Sequence, residues 1–131
     1  MTGVVVDSSA VMAVLRGEPE RDRLLDLLQA STRRLISAPT AVELGIVLGS
    51  RTRDFGRWQR VLRDTSIDTV GWDEAMTARA VDAFRRFGKG RHPAGLNYGD
   101  CFTYALAEER GLPILAVGDD FRRTDLQVLP G

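Results

Sequence analysis

Two short apolar runs, one near each end of the chain, stop at carboxylates. Val4-Val5-Val6 is closed by Asp7, and Ile114-Leu115-Ala116-Val117-Gly118 by Asp119 and Asp120. Runs this short and rich in branched residues read as buried strands. Two further acids belong to apolar helical segments. Glu43 interrupts Ala41-Val42-Glu43-Leu44-Gly45-Ile46-Val47-Leu48, and Asp100 opens Cys101-Phe102-Thr103-Tyr104-Ala105-Leu106-Ala107. Each acid is thus expected at the edge of, or inside, a buried element. An ionised carboxylate buried without a partner costs several kcal/mol or takes up a proton. Convergence of several makes the cost larger unless a cation lies between them. The pattern points to a divalent-metal site with hard oxygen ligands.

The remaining punctuation divides the chain into alternating elements. Asp7-Ser8-Ser9 offers cap chemistry for a helix to Arg16, which Gly17 stops. Pro19 is expected to begin a second helix with a stripe of Leu24, Leu25, Leu27 and Leu28, ending near Gln29. Arg34 to Ser37 reads as a strand, and Pro39-Thr40 starts a third helix that carries Glu43 to about Arg51. A fourth helix is expected over Phe55 to Asp64, a strand over Ile67 to Val70, and a fifth helix capped by Asp73. A Gly/Pro loop from Gly88 to Gly95 precedes a sixth helix from about Gly99 to Arg110, followed by a strand over Ile114 to Val117 and a short edge strand at Val128-Leu129. Strands alternating with helices predict an α/β domain with a mainly parallel sheet. In such sheets ligands bind outside the carboxyl ends of the strands. Asp7 and the Asp119-Asp120 pair both lie there, delivered from distant parts of the chain.

Length and composition exclude several classes. The 131 residues are expected to form one domain spanning 1–131, and 44% hydrophobic residues is the balance of a soluble protein. No apolar run approaches a membrane span, and the first residues have no basic stretch or cleavage site of a signal peptide. A single cysteine fits a reducing cytoplasm. One cysteine and one histidine, Cys101 and His92, cannot build a zinc site. The net charge is zero, yet once the five candidate acids are set aside, 13 acidic residues face 18 Lys and Arg. An acidic pocket on an otherwise basic surface suits an enzyme acting on a polyanion.

Carboxylate ligands select Mg²⁺ or Mn²⁺ over zinc or copper. The chemistry this supports is phosphodiester hydrolysis, with the ion activating a water and stabilising transition-state charge. Phosphate-cradling glycine loops and the Gly-x-Ser-x-Gly elbow are absent. Arg85-Arg86 and Arg122-Arg123 are candidates either for phosphate contact or for plain solvated faces. His92 reads as a surface residue or substrate contact, and Cys101 as a small buried hydrophobe.

Val4-Val5-Val6-Asp7-Ser8-Ser9-Ala10, Pro39-Thr40-Ala41-Val42-Glu43, Leu96-Asn97-Tyr98-Gly99-Asp100-Cys101-Phe102 and Gly118-Asp119-Asp120-Phe121 with Thr124-Asp125 together resemble PIN-domain ribonucleases, and more narrowly VapC toxins of bacterial toxin–antitoxin pairs. The resemblance covers nearly the whole chain in motif order and spacing. It implies an α/β/α sandwich with a short parallel central sheet, and a Mg²⁺- or Mn²⁺-dependent endoribonuclease with Asp7, Glu43 and Asp100 as metal-site acids. The family's D-x-S pattern falls on Asp7 and Ser9, whose hydroxyl is then expected to orient a carboxylate or water. The fourth acid stays open between Asp119 and Asp120. A homodimer, an RNA substrate and inhibition by a cognate VapB antitoxin whose tail occupies the cleft are also implied. A housekeeping metal-dependent nuclease or phosphatase using the same acids, and a non-catalytic RNA-binding module, remain the alternatives.

Overall fold

The computed structural model describes residues 2–131. Five strands form one sheet in the order β3-β2-β1-β4-β5, every pairing parallel. They are β1 (Gly3–Val6), β2 (Arg33–Ser37), β3 (Asp68–Val70), β4 (Ile114–Leu115) and β5 (Val128–Leu129). The helices are α1 (Ser8–Arg16), α2 (Arg21–Ala30), α3 (Ala38–Thr52), α4 (Arg57–Asp64), α5 (Glu74–Phe87) and α6 (Tyr98–Arg110). This is the α/β arrangement expected from the alternation, with a short parallel sheet between two helical layers.

The pleat of β1 shows why the layers form. Val4 and Val6 join a cluster with Leu24, Leu28, Ile36, Leu44 and Leu62, which comes from β2 and from α2, α3 and α4. Val5, between them, points the other way into a cluster with Leu35, Met76, Ala83, Tyr104 and Ile114, under α5 and α6. All three valines are buried. A strand covered on both faces loses its hydrophobic alternation and becomes a continuous apolar run. Truncating one such core residue to alanine costs about 2–5 kcal/mol for Leu or Ile.

Several boundaries differ from the sequence expectation. The second helix starts at Arg21, with Glu20 at its N-cap, so Pro19 lies in the preceding turn. The fourth helix starts at Arg57, because Asp54 turns the chain through its carboxylate bond to the Gly56 amide at 3.0 Å. The strand expected over Ile114 to Val117 is only two residues long. Its continuation is captured by a side chain instead: the Val117 amide donates to Ser9 Oγ at 3.1 Å. Helix α6 begins at Tyr98 rather than near Gly99, capped by Asn97. No helix among the described residues is long and apolar enough to cross a membrane.

The strand order places a switch point beside β1. The chain steps from β1 outward to β2 and β3, then returns to build β4 and β5 on the other side. A parallel sheet opens a crevice at the carboxyl ends of the two strands flanking such a reversal. Here those strands are β1 and β4, followed by Asp7 and by the Gly118–Asp120 turn.

Candidate active site

Asp7 is the deepest acid, 6% exposed. Its backbone is extended at the N-cap of α1, and its Oδ2 accepts from the Ser9 amide at 3.1 Å. Its Oδ1 accepts from Thr103 Oγ1 at 2.7 Å, from the middle of α6. The carboxylate therefore serves as a helix cap with one oxygen while the other is bound across the fold.

Asp100 arrives on the first turn of α6 through a capping box. Asn97 Oδ1 accepts from the Asp100 amide at 2.9 Å, and Asp100 Oδ2 accepts from the Asn97 amide at 3.0 Å. This reciprocal pair fixes where the helix begins. Burial raises the Asp100 carboxyl from its ordinary 3.8 to about 6, against the lowering effect of the Asn97 amide, and the charges of Asp7, Asp120 and Glu43 add to the rise. Acids from three other segments thus bear on Asp100.

Glu43 projects from the second turn of α3. Against the expectation of a buried apolar face, Glu43 is exposed, and its neighbours Val42 and Ile46 are also exposed, at 60% and 57%. The α3 residues that pack inward are Ala41, Leu44 and Leu48. The Glu43 carboxylate accepts from Ser8 Oγ at 3.4 Å and lies against Gly99. A Cβ at Gly99 would come within 2.6 Å of Glu43 Oε2. The glycine just before Asp100 therefore makes room for the glutamate carboxylate.

Asp119 and Asp120 are both exposed and follow β4 after Ala116, Val117 and Gly118, not directly. The charge of Asp120 acts on Asp100 together with those of Asp7 and Glu43. The Asp119 carbonyl accepts from the Arg122 amide in the 3-10 turn Phe121–Arg123. Ser9 meets the Asp7 carboxylate through its backbone amide, not through its hydroxyl. Its oxygen accepts from the Val117 amide and pins the strand that leads to the acidic turn.

An open cleft of about 410 Å³ runs between these groups, lined by Asp7, Ser9, Arg16, Glu43, Asn97 and Asp100 among others. The donors facing it are carboxylate oxygens and hydroxyls, with no histidine or thiolate. Such a donor set fits a hard divalent cation. Among the described residues no three acids are drawn close enough to ligate one ion. Asp7 and Asp100 each hold a backbone amide with one carboxylate oxygen.

The arginine pairs, open between phosphate contact and plain solvated faces, are engaged within the chain. Arg86 pairs with Asp82 and Glu108, both at 2.9 Å, and Arg85 pairs with Asp82 at 2.7 Å. Arg122 and Arg123 donate to the carbonyls of Pro130 and Pro93. Of the remaining cations, Lys89 and Arg91 are exposed on the loop that leads into α6. His92 packs edge-on against Phe87 and accepts from the Ala94 amide at 3.0 Å, so it shapes this loop. Cys101 is buried and donates to the Asn97 carbonyl, and burial pushes its thiol up to about 11.

Residues missed by sequence reasoning are Thr103, Thr40, Gly99 and Asn97. Only Asn97 had a legible signal, the Asn-x-x-Asp spacing of a capping box.

Comparisons with known proteins show the family and the fold. The PIN domain family model matches residues 4–126. Ribonuclease VapC30 of Mycobacterium tuberculosis is 41% identical over 130 residues, covering 94% of this chain and 95% of the relative. Ribonuclease VapC of Mycolicibacterium smegmatis is 41% identical over 128 residues, covering 94% and 97%. Among solved structures, M. tuberculosis VapC20, a sarcin–ricin loop cleaving toxin, superposes with a TM-score of 0.72 at 15% identity, covering 94% of this chain and 95% of that one. A toxin–antitoxin complex from Klebsiella pneumoniae superposes with a TM-score of 0.73 at 17% identity, covering 96% and 95%. The chain belongs to the PIN-domain family and, within it, to the VapC group.

Proposed function

We propose that this chain is a Mg²⁺- or Mn²⁺-dependent endoribonuclease and the toxin of a VapBC-type pair. The observation that carries it is the cleft at the switch point, lined by Asp7, Glu43 and Asp100 from three separate elements. Retaining four mutually repelling acids in a cleft costs stability, and a bound cation is what offsets that cost. Asp7, Glu43, Asp100 and Asp120 are the residues that would hold the ion. When bound, it supplies Lewis acidity toward a scissile phosphate and lowers the pKa of an attacking water.

The chain's own residues do the rest. Asn97 sets the α6 terminus and so the placement of Asp100. Ser9 holds the start of the turn that carries Asp120. Arg16, at the cleft wall, and Lys89 and Arg91, on the loop before α6, provide positive charge for the RNA backbone. Burial and three acidic neighbours favour the neutral form of the Asp100 carboxyl.

A VapB-type antitoxin silences this site by placing a basic side chain among the acids, where a guanidinium can bond two carboxylate oxygens at once. The toxin acts in the cytoplasm as a homodimer. Its exposed apolar residues Val42, Ile46, Val81 and Tyr98, on α3, α5 and α6, are the surface for the second copy.

The test is cleavage of single-stranded RNA by the purified chain. Cleavage in Mn²⁺, its loss in EDTA and its loss in Asp7→Asn are expected. Cleavage undiminished by excess chelator would overturn the proposal, and cleavage of a small phosphate ester in place of RNA would favour the phosphatase alternative.

A further inference from the structure

Behind the acids runs a line of buried hydroxyls that begins at Ser37, the N-cap of α3, and ends on Asp7. Thr103 is 0% exposed, and Thr40 and Ser37 are each 1% exposed. Ser37 Oγ donates to Thr40 Oγ1 at 2.6 Å, Thr40 Oγ1 lies 3.5 Å from Thr103 Oγ1, and Thr103 Oγ1 donates to Asp7 Oδ1 at 2.7 Å. Each hydroxyl has one proton. Thr103 spends its proton on Asp7, so at the 3.5 Å contact Thr40 is the donor. Ser37 spends its own on Thr40 and accepts from the Thr40 amide at 3.0 Å. Every proton in the line therefore points toward Asp7. Buried polar atoms are expensive when unpaired, and this line leaves none unpaired.

The positions of these residues give the line its meaning. Thr103 lies three residues after Asp100 on α6, and Thr40 three residues before Glu43 on α3. Residues spaced by three share one side of a helix. The line thus joins the elements that carry Asp7, Glu43 and Asp100 from behind the cleft.

Building on the proposed metal-dependent site, we propose that Thr103 is a positioning residue that fixes the Asp7 carboxylate, and that Ser37, Thr40 and Thr103 form a brace that holds the three acid-bearing elements in one geometry for the cation. Thr103 touches neither ion nor RNA and acts through Asp7. Groups that orient metal ligands from behind typically change metal affinity or activity by about 10- to 100-fold when removed.

The experiment compares Thr103→Val, Thr103→Ser and Thr40→Val with the wild-type chain. Mn²⁺ binding is followed by calorimetry, and RNA cleavage is resolved into kcat and KM. Thr103→Val keeps the shape and removes the donor. It is expected to weaken Mn²⁺ binding and lower kcat by roughly 10- to 100-fold each, with KM for RNA unchanged. Thr103→Ser restores the hydroxyl and is expected to stay within about threefold of wild type, and Thr40→Val to fall between the two. If Thr103→Val does not fold, Thr40→Val carries the test, because it breaks the line one step further from the site. Wild-type Mn²⁺ affinity in the folded valine variants overturns the brace, as does a serine variant as impaired as the valine one. Absence of Mn²⁺ binding by the wild-type chain itself overturns the metal site, which is a separate failure.

Discussion

Asp100→Asn should make the cation-free protein more stable while abolishing its activity. The wild-type carboxyl is raised from 3.8 to about 6, first by burial and then by Asp7, Asp120 and Glu43. At about 1.36 kcal/mol per pH unit the full difference corresponds to about 3 kcal/mol of penalty on the charged form. Asp100 is only partly buried, and solvent screening reduces this to about 1–2 kcal/mol. The sign follows from a folded value above the unfolded one. The associated stability is fully present below pH 3.8 and is lost as pH rises through about 6. Asparagine does not titrate, and its carbonyl oxygen can still accept from the Asn97 amide, so the capping box survives. In EDTA the variant and wild type should melt together near pH 4, and the variant should melt about 3–8 °C higher by pH 7.5. Saturating Mn²⁺ should reverse the order, because only the wild type binds the ion well. Thermal melts across pH, with and without Mn²⁺, decide the matter. A variant that melts below wild type at pH 7.5 in EDTA, or a gap that does not change with pH, would refute the argument.

Gly99→Ala should leave melting unchanged or slightly raised, since alanine is the better helix former by up to about 1 kcal/mol. Its Cβ must nevertheless displace the Glu43 carboxylate, so Mn²⁺ binding and RNA cleavage should fall by roughly tenfold or more. Asp120→Asn should lose cleavage as Asp7→Asn does, whereas Asp119→Asn should retain it; equal loss in both would mean that the turn, not one acid, is what matters. Arg86→Leu should lower the melting temperature only modestly, because Asp82 keeps Arg85 and Glu108 keeps Arg79, with KM for RNA unchanged; a raised KM would favour the phosphate-contact reading of α5.

The layers were legible because they rest on local chemistry. Val4-Val5-Val6 reads as a two-sided strand, since no polar residue interrupts it. Glycine at position 17 and at position 111 stops a helix where the backbone turns left-handed. The misplaced boundaries fall where a side chain competes for the backbone. Val117 would extend β4 if Ser9 did not take its amide, and Ser9 lies 108 residues away. A contact that distant leaves no trace in a local pattern. Pro19 misled for a related reason. It suits a first helical turn, but the Leu24 amide bonds the Glu20 carbonyl, so the helix engages two residues later than the proline suggests.

The acids were legible for a reason that also limited what could be read. A carboxylate beside apolar residues is conspicuous because it violates the expected patterning, so Asp7, Glu43 and Asp100 stood out. Glu43 stood out partly on a false premise: its face is apolar but uncovered, and the same apolar neighbours are what a second copy would bury. Threonine in a helix violates nothing. Thr103 sits between Phe102 and Tyr104 and Thr40 between Pro39 and Ala41, and each passes as a core residue with a small polar atom. Only the fold shows that both hydroxyls point at one another and on toward Asp7. The division has a physical basis. Groups that meet the cation must carry charge, and charge is visible against a hydrophobic background. Groups that hold those charges in place need one hydrogen-bond donor in a dry setting, which a residue indistinguishable from packing can supply.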